Sequence, residues 1–244
     1  MTSPPTDRKI ARRALVTGGA IRVGRTIALA LADAGFDVAI GFHRSATAAR
    51  RTVEELRGRG VTAAAVRADL RDPRAARTLV AEATRALRGL DVLVNSAALF
   101  YKTPLAHATR AQWDELLDLN LRAAFFCTQA ATARMPRGGH VVNVGDVITR
   151  LARPGWAAYA ASKAGLEALT RALAAELRAE RIAVNCVAPG PVLKPDRLPP
   201  ARWRAITRGH AGSPADVAAA VVFFATCPAY VTGQVLAVDG GGTA

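Results

Sequence analysis

Cysteine is scarce in this chain of 244 residues. There are three thiols, Cys127, Cys186 and Cys227, and none stands in a Cys-x-x-Cys pair. An odd, unpaired set gives no disulfide framework and no zinc spacing, so the thiols are expected to be buried and reduced, as in a cytoplasmic protein. Long apolar runs are also lacking. Arg, Asp or Gly interrupts each run well short of the roughly 20 residues that span a bilayer. The opening stretch from Met1 to Lys9 has no apolar segment of the secretory kind. Residues 1–10 are expected to be a disordered tail ahead of one domain over 11–244. Lysine is nearly absent: Lys9, Lys102, Lys163 and Lys194 are the four among 33 basic residues, in a chain of formal net charge +14. The arginines are scattered rather than gathered on one face. That argues against a nucleic-acid footprint but leaves a field that favours anionic ligands.

What is present is an alternation of short apolar runs with longer helical patterns. Hydrophobic residues make up 51% of the chain, enough for one continuous core. Strands are predicted at Ala14–Thr17, Asp37–Phe42, Val61–Arg67, Asp91–Asn95, His140–Val144, Arg181–Val187 and Gln234–Val238. Helices are predicted over Thr26–Ala34, stopped by Gly35, over Ala46–Gly58, and from Pro73 onward. Strands separated by helices imply a single Rossmann-type domain, a doubly wound seven-stranded parallel sheet with helices on both faces. Ligands on such sheets bind at the carboxyl ends of the strands.

The turn after the first strand reads Thr17, Gly18, Gly19, Ala20, Ile21, Arg22, Val23, Gly24. Gly18 permits a tight turn, Gly24 permits close packing at the helix start, and the leading amides face an anion. The second strand runs into His43, Arg44 and Ser45, where a carboxylate would select NADH. A guanidinium and a hydroxyl suit a 2′-phosphate instead, so NADPH is the expected cofactor. Tyr159 and Lys163 are four residues apart, on one face of a predicted helix. An adjacent ammonium is expected to lower the phenol pKa, so that the pair shuttles a proton.

Thr17 and Gly18 with Gly24, Asn95–Ala97, Asn120, Tyr159 with Lys163, and Pro189–Gly190 together resemble the short-chain dehydrogenase/reductase family over residues 12–242. The resemblance implies a cofactor site of Gly18, Ile21, Arg22, Val23, Gly24, His43, Arg44, Ser45, Asp69, Leu70, Asn95, Ala97, Tyr159, Lys163, Pro189, Gly190 and Val192. It implies that Asn120 supports a proton-relay water, that Lys163 binds the nicotinamide ribose, and that the protein is a homotetramer acting on a small molecule, with no metal.

Asp146 stands where most of that family has serine, thirteen residues before the tyrosine, and Arg22 replaces the middle glycine of the first loop. With Phe100–Leu105 and Leu198–Trp203, the latter in a segment expected to close over substrate, these features resemble the pteridine reductase branch. Ala98 and Trp156 depart from it. The branch implies catalysis by Asp146, Tyr159 and Lys163 with Asn120, and a substrate pocket of Arg22, Phe100, Asp146, Trp156 and Tyr159, with Phe100 stacked on the pterin. A carboxylate suits a ring rich in N–H donors better than a developing alkoxide. The expected activity is NADPH-dependent reduction of a dihydropterin or dihydrofolate. The alternatives are a 3-oxoacyl carrier-protein reductase and a non-catalytic NADPH-binding protein.

Overall fold

A computed structural model describes residues 12–195, 198–207 and 209–244. The expected tail over 1–10 lies outside the described residues. Seven strands form one sheet: β1 (Arg13–Val16), β2 (Asp37–Phe42), β3 (Ala63–Arg67), β4 (Val92–Asn95), β5 (His140–Val144), β6 (Ala183–Pro189) and β7 (Val235–Val238). Their spatial order is β3-β2-β1-β4-β5-β6-β7, and every described pairing is parallel. The helices are α1 (Arg22–Asp33), α2 (Ala46–Arg57), α3 (Ala75–Leu87), α4 (Arg110–Leu117), α5 (Ala123–Thr132), α6 (Ala157–Glu176), α7 (Pro200–Thr207) and α8 (Pro214–Thr226). None of the described helices is long and apolar enough to cross a membrane.

Alternation along the strands divides the core. Ala14 and Val16 point into a cluster completed by Ile27, Leu31, Val53 and Phe224, under α1, α2 and α8. Leu15 points the other way, into a cluster with Leu79, Ala83, Cys127 and Leu173 under α3, α5 and α6. Both faces are covered, as a parallel sheet requires. The three cysteines are buried and free.

Several boundaries differ from those predicted. The first helix begins at Arg22, not Thr26, because the glycine-rich turn closes sooner than the apolar pattern starts. Pro73 does not open a helix. It lies in a turn where Asp72 accepts from the amides of Arg74 and Ala75, and α3 starts at Ala75. The third strand starts at Ala63, since the Thr62 amide is taken by Asp37 Oδ1 at 2.6 Å. The sixth starts at Ala183, because Arg181 has φ 57°, which an extended strand cannot continue.

His140 opens β5 at the end of the sheet remote from the carboxyl ends. It is buried, and its Nδ1 has no partner among the described residues. Burial, then the Arg12 guanidinium, lowers its pKa. A base that resists protonation only when folded leaves the unfolded chain holding more protons, so stability is lost as pH falls below the unfolded value of about 6.5. Urea midpoints measured from about pH 7.5 to pH 5 should therefore fall more steeply for the parent than for His140→Leu. Equal slopes would rule this out.

Candidate active site

The sheet order reverses between β1 and β4, and the site is built where those strands end. Thr17 Oγ1 accepts from the amides of Ser96 and Ala97, both at 3.0 Å, and so ties the two strand ends together. Gly18, at φ +66°, lies so close that a Cβ would sit 2.9 Å from Ala97 Cα. A Cβ on Gly24 would sit 2.3 Å from the Gly18 carbonyl oxygen. Ile21 caps α1 in extended conformation with no side-chain cap bond, and no acidic residue lies in the first turn. The leading amides of α1 are thus left to an anion, with the helix dipole adding to the attraction. Val23 packs against the core beneath. Arg22 keeps a glycine-like φ of 54°, a backbone state that costs an arginine about 1 kcal/mol or more.

At the end of β2, Arg44 is exposed and in no ion pair among the described residues. Ser45 is the N-cap of α2, yet its hydroxyl makes no cap bond. Both groups are uncommitted. Asp69 is not: Arg71 donates to its two oxygens at 2.9 and 2.7 Å, and His43 Nε2 lies 3.6 Å away. The bond to Arg71 holds the Asp69 carboxyl down at about 2.

The reacting centre joins β5 to α6. Asp146 Oδ1 accepts from the Ile148 amide at 2.8 Å, and Oδ2 accepts from Tyr159 Oη at 2.7 Å. Lys163 is buried and donates to the Val144 carbonyl at 2.8 Å, with its ammonium 6.0 Å from the Tyr159 ring centroid. The expectation of a lowered phenol pKa is overturned. Burial, then the charge and hydrogen bond of Asp146, raises the Tyr159 pKa well above its ordinary value. Burial also raises that of Asp146 and lowers that of Lys163. Tyr159 is therefore a neutral phenol whose hydrogen is already aimed at a carboxylate.

Asn120 lies in a π-helical turn, Asp118–Arg122, between α4 and α5. Its side chain accepts from the Leu99 amide at 2.8 Å and donates to the Leu99 carbonyl at 3.0 Å and to Ser162 Oγ at 3.1 Å. Behind it, Thr17, Leu70, Asn95, Asn120 and Lys163 help line a cavity of about 10 Å³, the size of one water. Asn95 donates to Asn143, while its own Oδ1 is buried without a partner among the described residues.

At the mouth, Phe100 is 54% exposed. Its ring stacks on Trp156 at 4.4 Å and meets Tyr159 edge-on at 5.0 Å. One face of Phe100 is thus taken by Trp156 rather than free. Pro189 ends β6, and Gly190 packs so near Asp239 that a Cβ would come within 2.8 Å of it. Val192 packs against the core edge. Of the Leu198–Trp203 segment, Pro200–Trp203 is helical, the start of α7, and Lys194 holds the Leu198 carbonyl at 2.9 Å.

Arg71, Glu115 and Ser162 bear on the site but escaped the sequence reading. Arg71 sits two residues from Asp69, a spacing that signals a local pair. Its second partner, Glu115, is 44 residues away and carries no such signal.

The family described as Enoyl-(Acyl carrier protein) reductase matches residues 19–243. A 3-oxoacyl-[acyl-carrier-protein] reductase from Staphylococcus aureus (strain Mu50 / ATCC 700699) is 36% identical over 242 residues, covering 96% of this chain and 98% of the relative. A blue fluorescent protein from a metagenomic library, solved in complex with NADPH, is 38% identical with a TM-score of 0.90, covering 96% of this chain and 98% of that one. A short chain dehydrogenase from Burkholderia cenocepacia J2315, solved in complex with NADP, gives the same identity, TM-score and coverage. With the Tyr159 and Lys163 pair on α6 and the glycine turn at the end of β1, this match along the whole fold assigns the chain to the short-chain dehydrogenase/reductase family.

Proposed function

We propose that this chain is an NADPH-dependent reductase of a dihydropterin-type ring, dihydrofolate included. The observation that carries this reading is the 2.7 Å hydrogen bond from Tyr159 to Asp146. Most of the family has a serine hydroxyl at that position, which donates to an alkoxide. A carboxylate cannot donate; it accepts, and it suits a substrate edge of N–H groups.

The cofactor fits the residues present. The uncapped start of α1 and the close backbone at Gly18 and Gly24 make a pyrophosphate cradle. Arg44 and Ser45 bind the 2′-phosphate, Lys163 the nicotinamide ribose, and Pro189, Gly190 and Val192 border the nicotinamide. NADPH bound there supplies hydride to the ring carbon. Tyr159 gives its proton to the adjacent ring nitrogen, and Asp146 accepts hydrogen bonds from the ring. The cavity beside Asn120 and Lys163 has room for one water, which would return a proton toward Tyr159. Phe100 and Trp156 form an aromatic wall for a flat ring.

A second reading is reduction of a 3-oxoacyl thioester, which the 36% identity to the Staphylococcus aureus carrier-protein reductase supports. In that case Asp146 would have to act as a neutral acid. Burial, by raising its pKa, moves it in that direction.

The homotetramer is what the family resemblance implies, and apolar surface is there to serve it: a groove lined by Leu121, Phe125 and Leu169 on α5, α6 and the turn before them. Phe223, Tyr230 and Leu236 are exposed as well. Surfaces of that kind are covered by other protein in stable assemblies.

Sedimentation velocity should give a tetramer for the parent and a smaller particle for Phe125→Glu. A monomeric parent would overturn the assembly. In the cofactor site, Arg44→Asp should weaken NADPH binding by about tenfold or more, through loss of a charge-assisted bond to the phosphate, and leave NADH nearly unaffected. Equal parent affinities for the two cofactors would refute that assignment. For substrate, NADPH oxidation should be compared with dihydrobiopterin, dihydrofolate and an acetoacetyl thioester. Fast turnover is expected with a pterin, lowered in Asp146→Ser, which introduces a hydroxyl suited to carbonyls. Fast thioester reduction with no pterin turnover would establish the second reading.

A further inference from the structure

Beside the cofactor cleft runs a continuous chain of polar contacts that the reaction does not use. At one end Asp69 follows β3, next to His43 of the cofactor-selecting segment. Arg71 grips Asp69 with two nitrogens and reaches with its third, Nη1, to Glu115 Oε1 on α4 at 2.8 Å. The other oxygen of Glu115 accepts from Tyr101 Oη at 3.0 Å. Tyr101 adjoins Phe100, the outer ring of the mouth. The backbone of Arg71 is held as well, its carbonyl accepting from Arg122 at 2.7 Å.

These are strong, directional contacts. The planar fork of Arg71 satisfies both oxygens of Asp69 and one of Glu115, an arrangement that lysine cannot reproduce. Burial, then the Glu115 hydrogen bond, pushes the Tyr101 pKa up to about 12, so the hydroxyl stays a donor. The mouth segment has two other anchors: Asn120 at Leu99, and the Gly155 carbonyl accepting from the Thr103 amide at 2.8 Å. The Tyr101 anchor continues side chain by side chain, through Glu115 and Arg71, to the nucleotide end of the cleft.

We infer that Arg71 and Glu115 are positioning residues that couple the nucleotide end of the cofactor cleft to the substrate mouth, so that a cofactor seated against His43 and Asp69 stiffens the segment bearing Phe100. Coupling through a fixed polar chain requires that both ends bias the same element. Here that element is Leu99–Thr103. This rests on the NADPH reading above, and the test separates the two.

Amide hydrogen exchange is followed with and without NADPH in the parent, in Glu115→Gln and in Tyr101→Phe. In the parent, NADPH should slow exchange both at Gly18–Gly24 and, by about threefold or more, at Leu99–Thr103. In Glu115→Gln the slowing at Gly18–Gly24 should persist and that at Leu99–Thr103 should vanish. With whichever substrate turns over, Glu115→Gln should raise KM by about threefold and leave kcat within about twofold, and it should add nothing in a Tyr101→Phe background. Undiminished slowing at the mouth in Glu115→Gln, or additive effects with Tyr101→Phe, would overturn the coupling while leaving the cofactor reading intact. No slowing at Gly18–Gly24 in the parent would overturn both.

Discussion

The site depends on how closely two neighbouring strands are held where the sheet changes direction. β1 and β4 are paired, but their connections leave to opposite sides, and a cleft opens between the two loops. The Thr17 hydroxyl closes the floor of that cleft by accepting from two successive amides of the β4 loop. With the gap fixed, Gly18 has no room for a side chain against Ala97, and Gly24 has none against Gly18. The start of α1 is thereby brought down onto the strand ends with its amides exposed. An anion site follows from backbone geometry, and side chains need only add selectivity.

The second constraint is the crowding of three ionisable groups, Tyr159 and Lys163 buried and Asp146 part-buried. Lys163 lies under the β5 carbonyl end, Tyr159 above it, and Asp146 beside both. Each is shifted toward its neutral form by loss of water, as low-dielectric surroundings require. Removing one partner from such a set leaves another without its hydrogen bond, which costs more than a surface contact would. The arrangement is therefore one unit, in which the Tyr159 hydroxyl keeps its proton and Asp146 accepts the hydrogen bond.

Much of this was legible because the signals are local. All seven strands appear where short β-branched runs stand between turn residues, and the errors fall at their ends, where a single residue such as Arg181 or Thr62 decides the boundary. The glycine turn and the Tyr159–Lys163 spacing are contiguous patterns with a backbone reason. The direction of the Tyr159 pKa shift was not legible. Spacing on a helix shows that Lys163 is near, but not that Asp146, on a different loop, accepts from the hydroxyl, nor that Tyr159 and Lys163 are both buried. The Phe100–Trp156 stack joins positions 56 residues apart through two loops, and no periodicity records that.

Identity along the whole chain and identity at the reacting centre answer different questions. The 36% shared with the carrier-protein reductase is spread over 242 residues, and most of that length builds the sheet, its helices and the cofactor turn. Those parts serve any substrate that meets a nicotinamide on this fold. Choice of substrate rests on the few groups that touch it, which in the proposed site are the acceptor beside Tyr159 and the rings at the mouth. A serine-to-aspartate change there alters overall identity by one residue. It nevertheless replaces a donor with an acceptor and a neutral group with an ionisable one at 2.7 Å from the Tyr159 hydroxyl. Beside the buried Tyr159, a change of that kind bears on which developing charge is stabilised, while identity elsewhere in the sheet does not.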